Sequence, residues 1–153
     1  MLGGIYNKTD LELIERIRKN PFSFVKIQNP SEEVQLAFVR KFPIQINKIE
    51  NPSDAVKIAA VEERPDLIDL IANPSLNVQL AAVNVDGNAI AYIKKPTVEV
   101  QLAAVNKTPG AIKYITSPTE VGQMAAVKNN SKVIQYIKKP TKSVQKYIES
   151  LKQ

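Results

Sequence analysis

An all-α solenoid of 22-residue two-helix repeats is the fold class this sequence predicts, and two proline lattices and one recurring apolar phrase predict it. Pro30, Pro52, Pro74, Pro96, Pro118 and Pro140 stand 22 residues apart. Pro21, Pro43, Pro65 and Pro109 fall on a second lattice of the same period, with Gly87 and Ser131 in its two remaining places, and no proline lies off both. Proline fixes φ and lacks an N–H, so it marks the boundaries of elements. Two boundaries therefore recur in each unit, and a period of this length means stacked units. The phrase Val-Gln-Leu-Ala-Ala-Val at 78–83 returns at 100–105, with close variants in the other interior repeats.

In chain order this gives one elongated domain over residues 1–153: an N-terminal extension (1–7), an N-terminal cap repeat (8–29), five full repeats (30–139) and a C-terminal capping helix (140–153). Each repeat opens with Ser or Thr after its proline (Ser31, Ser53, Ser75, Thr97, Thr119 and Thr141), and Thr9 holds the same place at the start of the array. These are N-caps, whose hydroxyls accept from an orphan amide of the first turn. Acids such as Glu32, Glu33, Asp54, Glu99 and Glu120 follow at once and suit the positive end of a helix. A first helix of roughly nine or ten residues is expected after each cap.

The second boundary carries capping side chains at Asn20, Asp86, Thr108 and Asn130, with proline tolerated at the first helical position. Phe42 and Arg64 stand in the same place without one, so those two starts are expected to be weaker. The second helix is short, about two turns of α or 3₁₀. It carries the pairs Ile46/Ile49, Ile68/Ile71, Ile90/Ile93, Ile112/Ile115 and Ile134/Ile137 on one face.

Around the first helix, Val78, Leu80, Ala81, Ala82 and Val83 leave only the side near Gln79 polar. Such a helix is buried on several sides, and the alanine pairs permit close approach, so neighbouring repeats make the core. At roughly 8–10 Å between helices, six layers make a rod or shallow superhelix on the order of 50–60 Å long. Glu12, Glu15 and Arg16 in the first repeat, and Lys146 and Glu149 in the last, replace apolar residues of the consensus. Polar outer faces are what capping repeats require, and a complete array is expected. Gly122 breaks the column of valines, and Val121 is expected to fill part of the gap.

The chain has no cysteine and no histidine, which removes disulfides, thiolate nucleophiles, imidazole bases and the usual zinc ligands. Oxygen-only metal sites stay open. No segment approaches the roughly 18 uninterrupted apolar residues of a membrane helix, and residues Met1 to Asn7 show no basic region followed by an apolar stretch, so no signal sequence is expected. A cytoplasmic protein is expected. The net charge of +6 is uneven: residues 1–76 hold ten Lys/Arg against eleven Asp/Glu, and residues 77–153 hold eleven Lys against four acids. A basic half has two readings, a solubilising lysine surface and a field that attracts anionic partners.

Asn-Pro-Ser-Glu-Glu-Val-Gln-Leu-Ala at 29–37, the Val-Gln-Leu-Ala-Ala-Val repeats and Ala-Ile-Ala-Tyr-Ile at 89–93 resemble short helical repeats of unknown function in bacteriophage, large-virus and bacterial proteins. They are also similar to leucine-rich variant repeats, whose units pair an α-helix with a 3₁₀ helix. The resemblance covers about residues 8–151. It implies architecture, brings no catalytic motif, and points to a viral or mobile-element origin, hence to the host cytoplasm if the chain is viral. The iron–sulfur cysteine cluster that leucine-rich variant proteins can carry is excluded here by the absence of cysteine.

Gln35, Gln79, Gln101, Gln123 and Gln145 share one position, where only Lys57 intervenes. A half-buried amide needs partners, so the column reads as hydrogen bonds tying each helix to a neighbouring loop, or as amides presented to a ligand. Tyr92, Tyr114 and Tyr136 share a position of the short helix, near Lys94, Lys95, Lys113, Lys138 and Lys139. These eight residues are the candidate partner- or anion-binding site. Aromatics interleaved with lysines stack bases and neutralise phosphates, whereas a tyrosine beside a core isoleucine is also ordinary packing. None of the four arginines lies beyond Arg64, and phosphate recognition favours the arginine fork.

No nucleophile–base pair, recurring acid pair or glycine-rich phosphate loop is present, so no enzyme activity, cofactor or resident metal is expected. The expected function is a non-enzymatic binding or scaffold protein that offers a long solenoid face to a macromolecule, a protein first of all. By analogy with phage proteins it would be a host-interaction or anti-defence factor. The alternative is a binder of nucleic acid or a small anionic ligand through the Tyr/Lys half. Membranes are not expected as partners, and the chain is expected as monomer or homodimer.

Overall fold

The computed structural model describes residues 8–152. Among them, α-helices alternate with 3₁₀ helices and no strand occurs. The α-helices are α1 (Lys8–Lys19), α2 (Glu32–Lys41), α3 (Asp54–Glu63), α4 (Leu76–Val85), α5 (Val98–Lys107), α6 (Glu120–Asn129) and α7 (Lys142–Ser150). Between them lie η1 (Pro21–Lys26), η2 (Pro43–Lys48), η3 (Pro65–Leu70), η4 (Gly87–Tyr92), η5 (Pro109–Tyr114) and η6 (Ser131–Tyr136). Each α-helix packs on the next, and η2 to η6 also touch one another in sequence. The result is the expected solenoid, and every second helix is 3₁₀.

Capping explains where the elements start. Ser31, Ser53, Ser75, Thr97 and Thr119 accept from the third amide of their helices at 3.2–3.4 Å. Two α-helix caps depart from expectation. Thr9 lies inside α1, because Lys8 holds the place that is proline in the later repeats and the helix is free to begin earlier. Thr141 makes no capping bond; its hydroxyl lies 3.0 Å from Ser143 Oγ instead.

At the second boundary Asn20, Asp86 and Asn130 accept from the amide two residues on, at 2.9–3.1 Å. Phe42 and Arg64 do not cap, as expected, and Arg64 instead donates to Asp66. That bond holds the Asp66 carboxyl below its usual range. Thr108 is a correction, for it makes no capping bond. An Asx side chain reaches the second amide in an Asx turn, whereas a hydroxyl does so more weakly, and Thr108 packs over Gly87.

The core is continuous in kind but not in composition. Val34, Val56, Val78, Val100 and Val144 are fully buried, and so are Ala60, Ala82, Ala104 and Ala126. From Val61 to Val144 the core is aliphatic, whereas the cluster from Ile14 to Leu67 includes Phe24 and Phe38. Those two rings stack with centroids 3.9 Å apart, and Phe42 lies tilted against Phe38 at 5.8 Å. Phe38 holds the place of the second alanine of later pairs. The end residues Glu12, Glu15, Arg16, Lys146 and Glu149 are exposed.

Two glycines have different reasons. A Cβ on Gly87 would lie 2.3 Å from the Ala104 carbonyl oxygen, so η4 approaches α5 more closely than a side chain permits. At Gly122 a Cβ would meet Thr119 Oγ1 at 3.2 Å and Gln101 Oε1 at 3.5 Å. Val121 does not fill that gap, because it is 56% exposed and points away from the core.

Candidate functional site

The loop that leads from each 3₁₀ helix into the next α-helix forms one edge of the stack, and the glutamine column holds this edge together. Nε2 of Gln35, Gln79, Gln101, Gln123 and Gln145 donates to the carbonyl of the proline five residues earlier, at 2.9–3.2 Å. Oε1 of Gln101 and Gln123 accepts from the amides of Thr119 and Thr141, 18 residues later, at 2.9 and 3.0 Å. One amide thus joins its own loop to the cap of the next repeat. Gln79 Oε1 is buried without a partner, and Thr97, the residue in the matching place, is exposed where Thr119 and Thr141 are half-buried. Lys57 cannot accept, and its ammonium lies 3.6 Å from Asp54.

A second set of ties was not read from the sequence. Ser53 Oγ donates to Glu32 and Ser75 Oγ to Asp54, each at 2.6 Å, and Ser143 Oγ donates to Glu120. The acids at the helix starts therefore do more than face the positive end of their own helix. They grip a hydroxyl of the next repeat. For the first two ties the signal was present as a serine 21 residues after an acid; Ser143 lies 23 residues after Glu120, two places beyond its repeat's capping position.

Tyr92, Tyr114 and Tyr136 each end a 3₁₀ helix, one per repeat on this edge. They are 44–48% exposed and pack into neither core cluster, unlike Tyr147. The isoleucine next to each (Ile93, Ile115 and Ile137) is buried. The 3₁₀ turn therefore separates the two side chains, one into the core and one onto the edge.

Of the eight sequence-derived residues, Lys113, Tyr114, Tyr136, Lys138 and Lys139 line a single groove of about 480 Å³. Tyr92, Lys94 and Lys95 hold the matching places one or two repeats earlier and do not line it. Lys113 Nζ sits 4.7 Å from the centre of the Tyr114 ring, within reach of a cation–π contact. Thr116, Ser117 and Gln123 complete the wall and floor, and no lining residue is acidic. The floor is already satisfied: Gln123 Nε2 donates to Pro118 and Lys139 carbonyls, and its Oε1 is taken by Thr141. What remains for a ligand is aromatic surface, hydroxyls and ammonium groups.

The same place four repeats earlier holds a groove of about 750 Å³ between Phe24, Pro30, Gln35 and Ile49. Its rim is Gln28, Asn29, Lys48, Glu50 and Asn51, with one charge of each sign. Among the described residues no cluster of acids could hold a metal ion, and no helix is long and apolar enough to cross a membrane. No known protein family, curated protein or solved structure matches the chain.

Proposed function

We propose that the chain is a non-enzymatic binding protein, a scaffold that presents the edge carrying Tyr92, Tyr114 and Tyr136 to a partner protein. The observation that carries this reading is the exposure of three rings in register, each beside a buried isoleucine and none taken up by the core. Aromatic residues are enriched where proteins meet, and stacked repeats supply extended surfaces. The resemblance of the repeat to those of phage and large-virus proteins supports a host-interaction or anti-defence role for that contact.

The lysine rim without an acid favours one second reading, a nucleic acid or small anionic ligand on the same edge. Pull-down from the native host, with and without nuclease, separates the two. With the unaltered chain we expect a protein that survives nuclease and is lost from a folded variant carrying Tyr92→Ser, Tyr114→Ser and Tyr136→Ser. Equal capture by the variant removes this edge from the reading. Capture that disappears with nuclease turns it to the second.

A further inference from the structure

We infer that the partner segment this edge fits is an acidic, proline-containing peptide in the polyproline II conformation, lying across the layers with every third residue on a tyrosine. This rests on the reading that the edge engages a protein. The first argument is pitch. A polyproline II chain has three residues per turn and rises about 3.1 Å per residue, so same-face residues recur about every 9 Å. Packed helical layers stand roughly 8–10 Å apart. Residues i, i+3 and i+6 thus meet Tyr92, Tyr114 and Tyr136 in step. A β-strand presents same-face residues every 6.6 Å or so and runs out of step with the layers; a splayed single strand can keep step at one base per repeat, so it is the chemistry of the edge that separates it from a peptide.

The second argument is chemistry. Aromatic-lined grooves take proline-rich segments, whose backbone carbonyls have no internal partner and accept from side-chain donors. Tyrosine supplies both a ring face and a hydroxyl. Lys94 and Lys95 beside the first ring, Lys113 beside the second, and Lys138 and Lys139 beside the third are all exposed. Carboxylates on the two residues between successive ring contacts meet them. Lysine is a mobile point charge suited to such loose pairing, while the arginine fork suited to phosphate is missing from this half. Gln123 is already bonded to backbone groups and is not free to read a base edge.

The third argument is where the edge stops. In the place of the tyrosines the earlier repeats have Leu70, Lys48 and Lys26, and the acids Asp69 and Glu50 join the lysines there. The complementary stretch therefore spans three layers, about three turns of peptide.

Fluorescence anisotropy with the full chain and a labelled peptide of about four Pro-Glu-Glu units tests this. We expect saturable binding, weakened about tenfold by Tyr136→Ser (roughly one hot-spot side chain), lost with Lys138→Glu and Lys139→Glu together, and unchanged by Lys48→Ser. Replacing proline by glycine in the peptide should weaken it at least several-fold by restoring the flexibility that polyproline II removes. The half-exposed positions permit folded variants, checked by circular dichroism. Equal binding of the glycine peptide, or no saturation up to about 1 mM, overturns the inference. Tighter, steeply salt-dependent binding of oligothymidylate, sensitive to the same tyrosines, overturns it in favour of nucleic acid and leaves the edge standing. If no probe responds to the tyrosine variants and host capture is also unaffected, the edge reading falls as well.

Discussion

The two grooves, one between Phe24 and Ile49 and one between Tyr114 and Lys139, occupy the same place in the repeat, four repeats apart. Pro30 and Pro118, Ile27 and Ile115, and Gln35 and Gln123 correspond one to one. Around that shared frame, Lys48, Glu50 and Asn51 stand where Tyr136, Lys138 and Lys139 stand. The difference teaches that the repeat has two kinds of position. Those that satisfy backbone groups or carry the fully buried valines change little, and those on the rim change from mixed charge to aromatic and basic. A solenoid separates the two because each layer needs only its neighbours.

Packing divides the molecule along similar lines, and the largest test lies there. The Phe24–Phe38 stack does in the N-terminal repeats what alanine and isoleucine do later. Phe38→Ala, which installs the later consensus residue, should cost about 3–5 kcal/mol because the facing Phe24 loses its partner. A loss much below about 1 kcal/mol in urea unfolding would mean the two halves pack interchangeably.

Next is Gly87, which replaces the proline of most other repeats. Gly87→Ala drives a methyl toward the Ala104 carbonyl and should cost about 3 kcal/mol, the upper range of overpacking. Pro43→Ala at the same place should cost under about 1 kcal/mol, mainly through a freer unfolded chain. Melting temperatures sort these, at about 2–4 °C per kcal/mol for a chain of this size.

Gln101→Leu leaves the Thr119 amide and the Pro96 carbonyl without their bonds and should cost about 2 kcal/mol. Unchanged stability with loss of partner binding would reverse the structural role given to the column. The smallest expected effect concerns the loops. Asn29, Asn51 and Asn73 sit at φ 45–49°, in the left-handed region, whereas Lys95, Ser117 and Lys139 in the same place do not. Asn51→Ala should cost about 1 kcal/mol and Ser117→Ala close to nothing, measured side by side by thermal melting.

Much of this was legible because the sequence repeats its own instructions. Proline, a Ser or Thr hydroxyl and a valine three residues later mark α2 to α5 and α7, with Gly122 in the valine's place in α6, and the glutamine column announced a polar atom in need of partners. Three things were not legible. Whether six residues beginning with proline form 3₁₀ or α helix turns on one hydrogen-bond register, and the Ile pairs suit both. The Phe24–Phe38 stack joins positions that read as one isoleucine and one alanine in the consensus. The basic groove joins the ends of two successive 3₁₀ helices, so its eight candidate residues could be named by position, but which five share a wall depends on the stagger between layers.

The two-ended glutamine also acts as a ruler. Its nitrogen is anchored five residues back and its oxygen 18 residues ahead, at the next cap. One residue inserted between Gln101 and Thr119 would carry the amide away from its acceptor and turn the following α-helix by a wrong angle. Whole units leave every such measurement intact, so excising residues 97–118 together, which places Thr119 directly after Pro96, restores the frame. Length in this architecture is quantised: a change of length preserves these ties only in steps of 22, the spacing on which all the prolines of the chain stand.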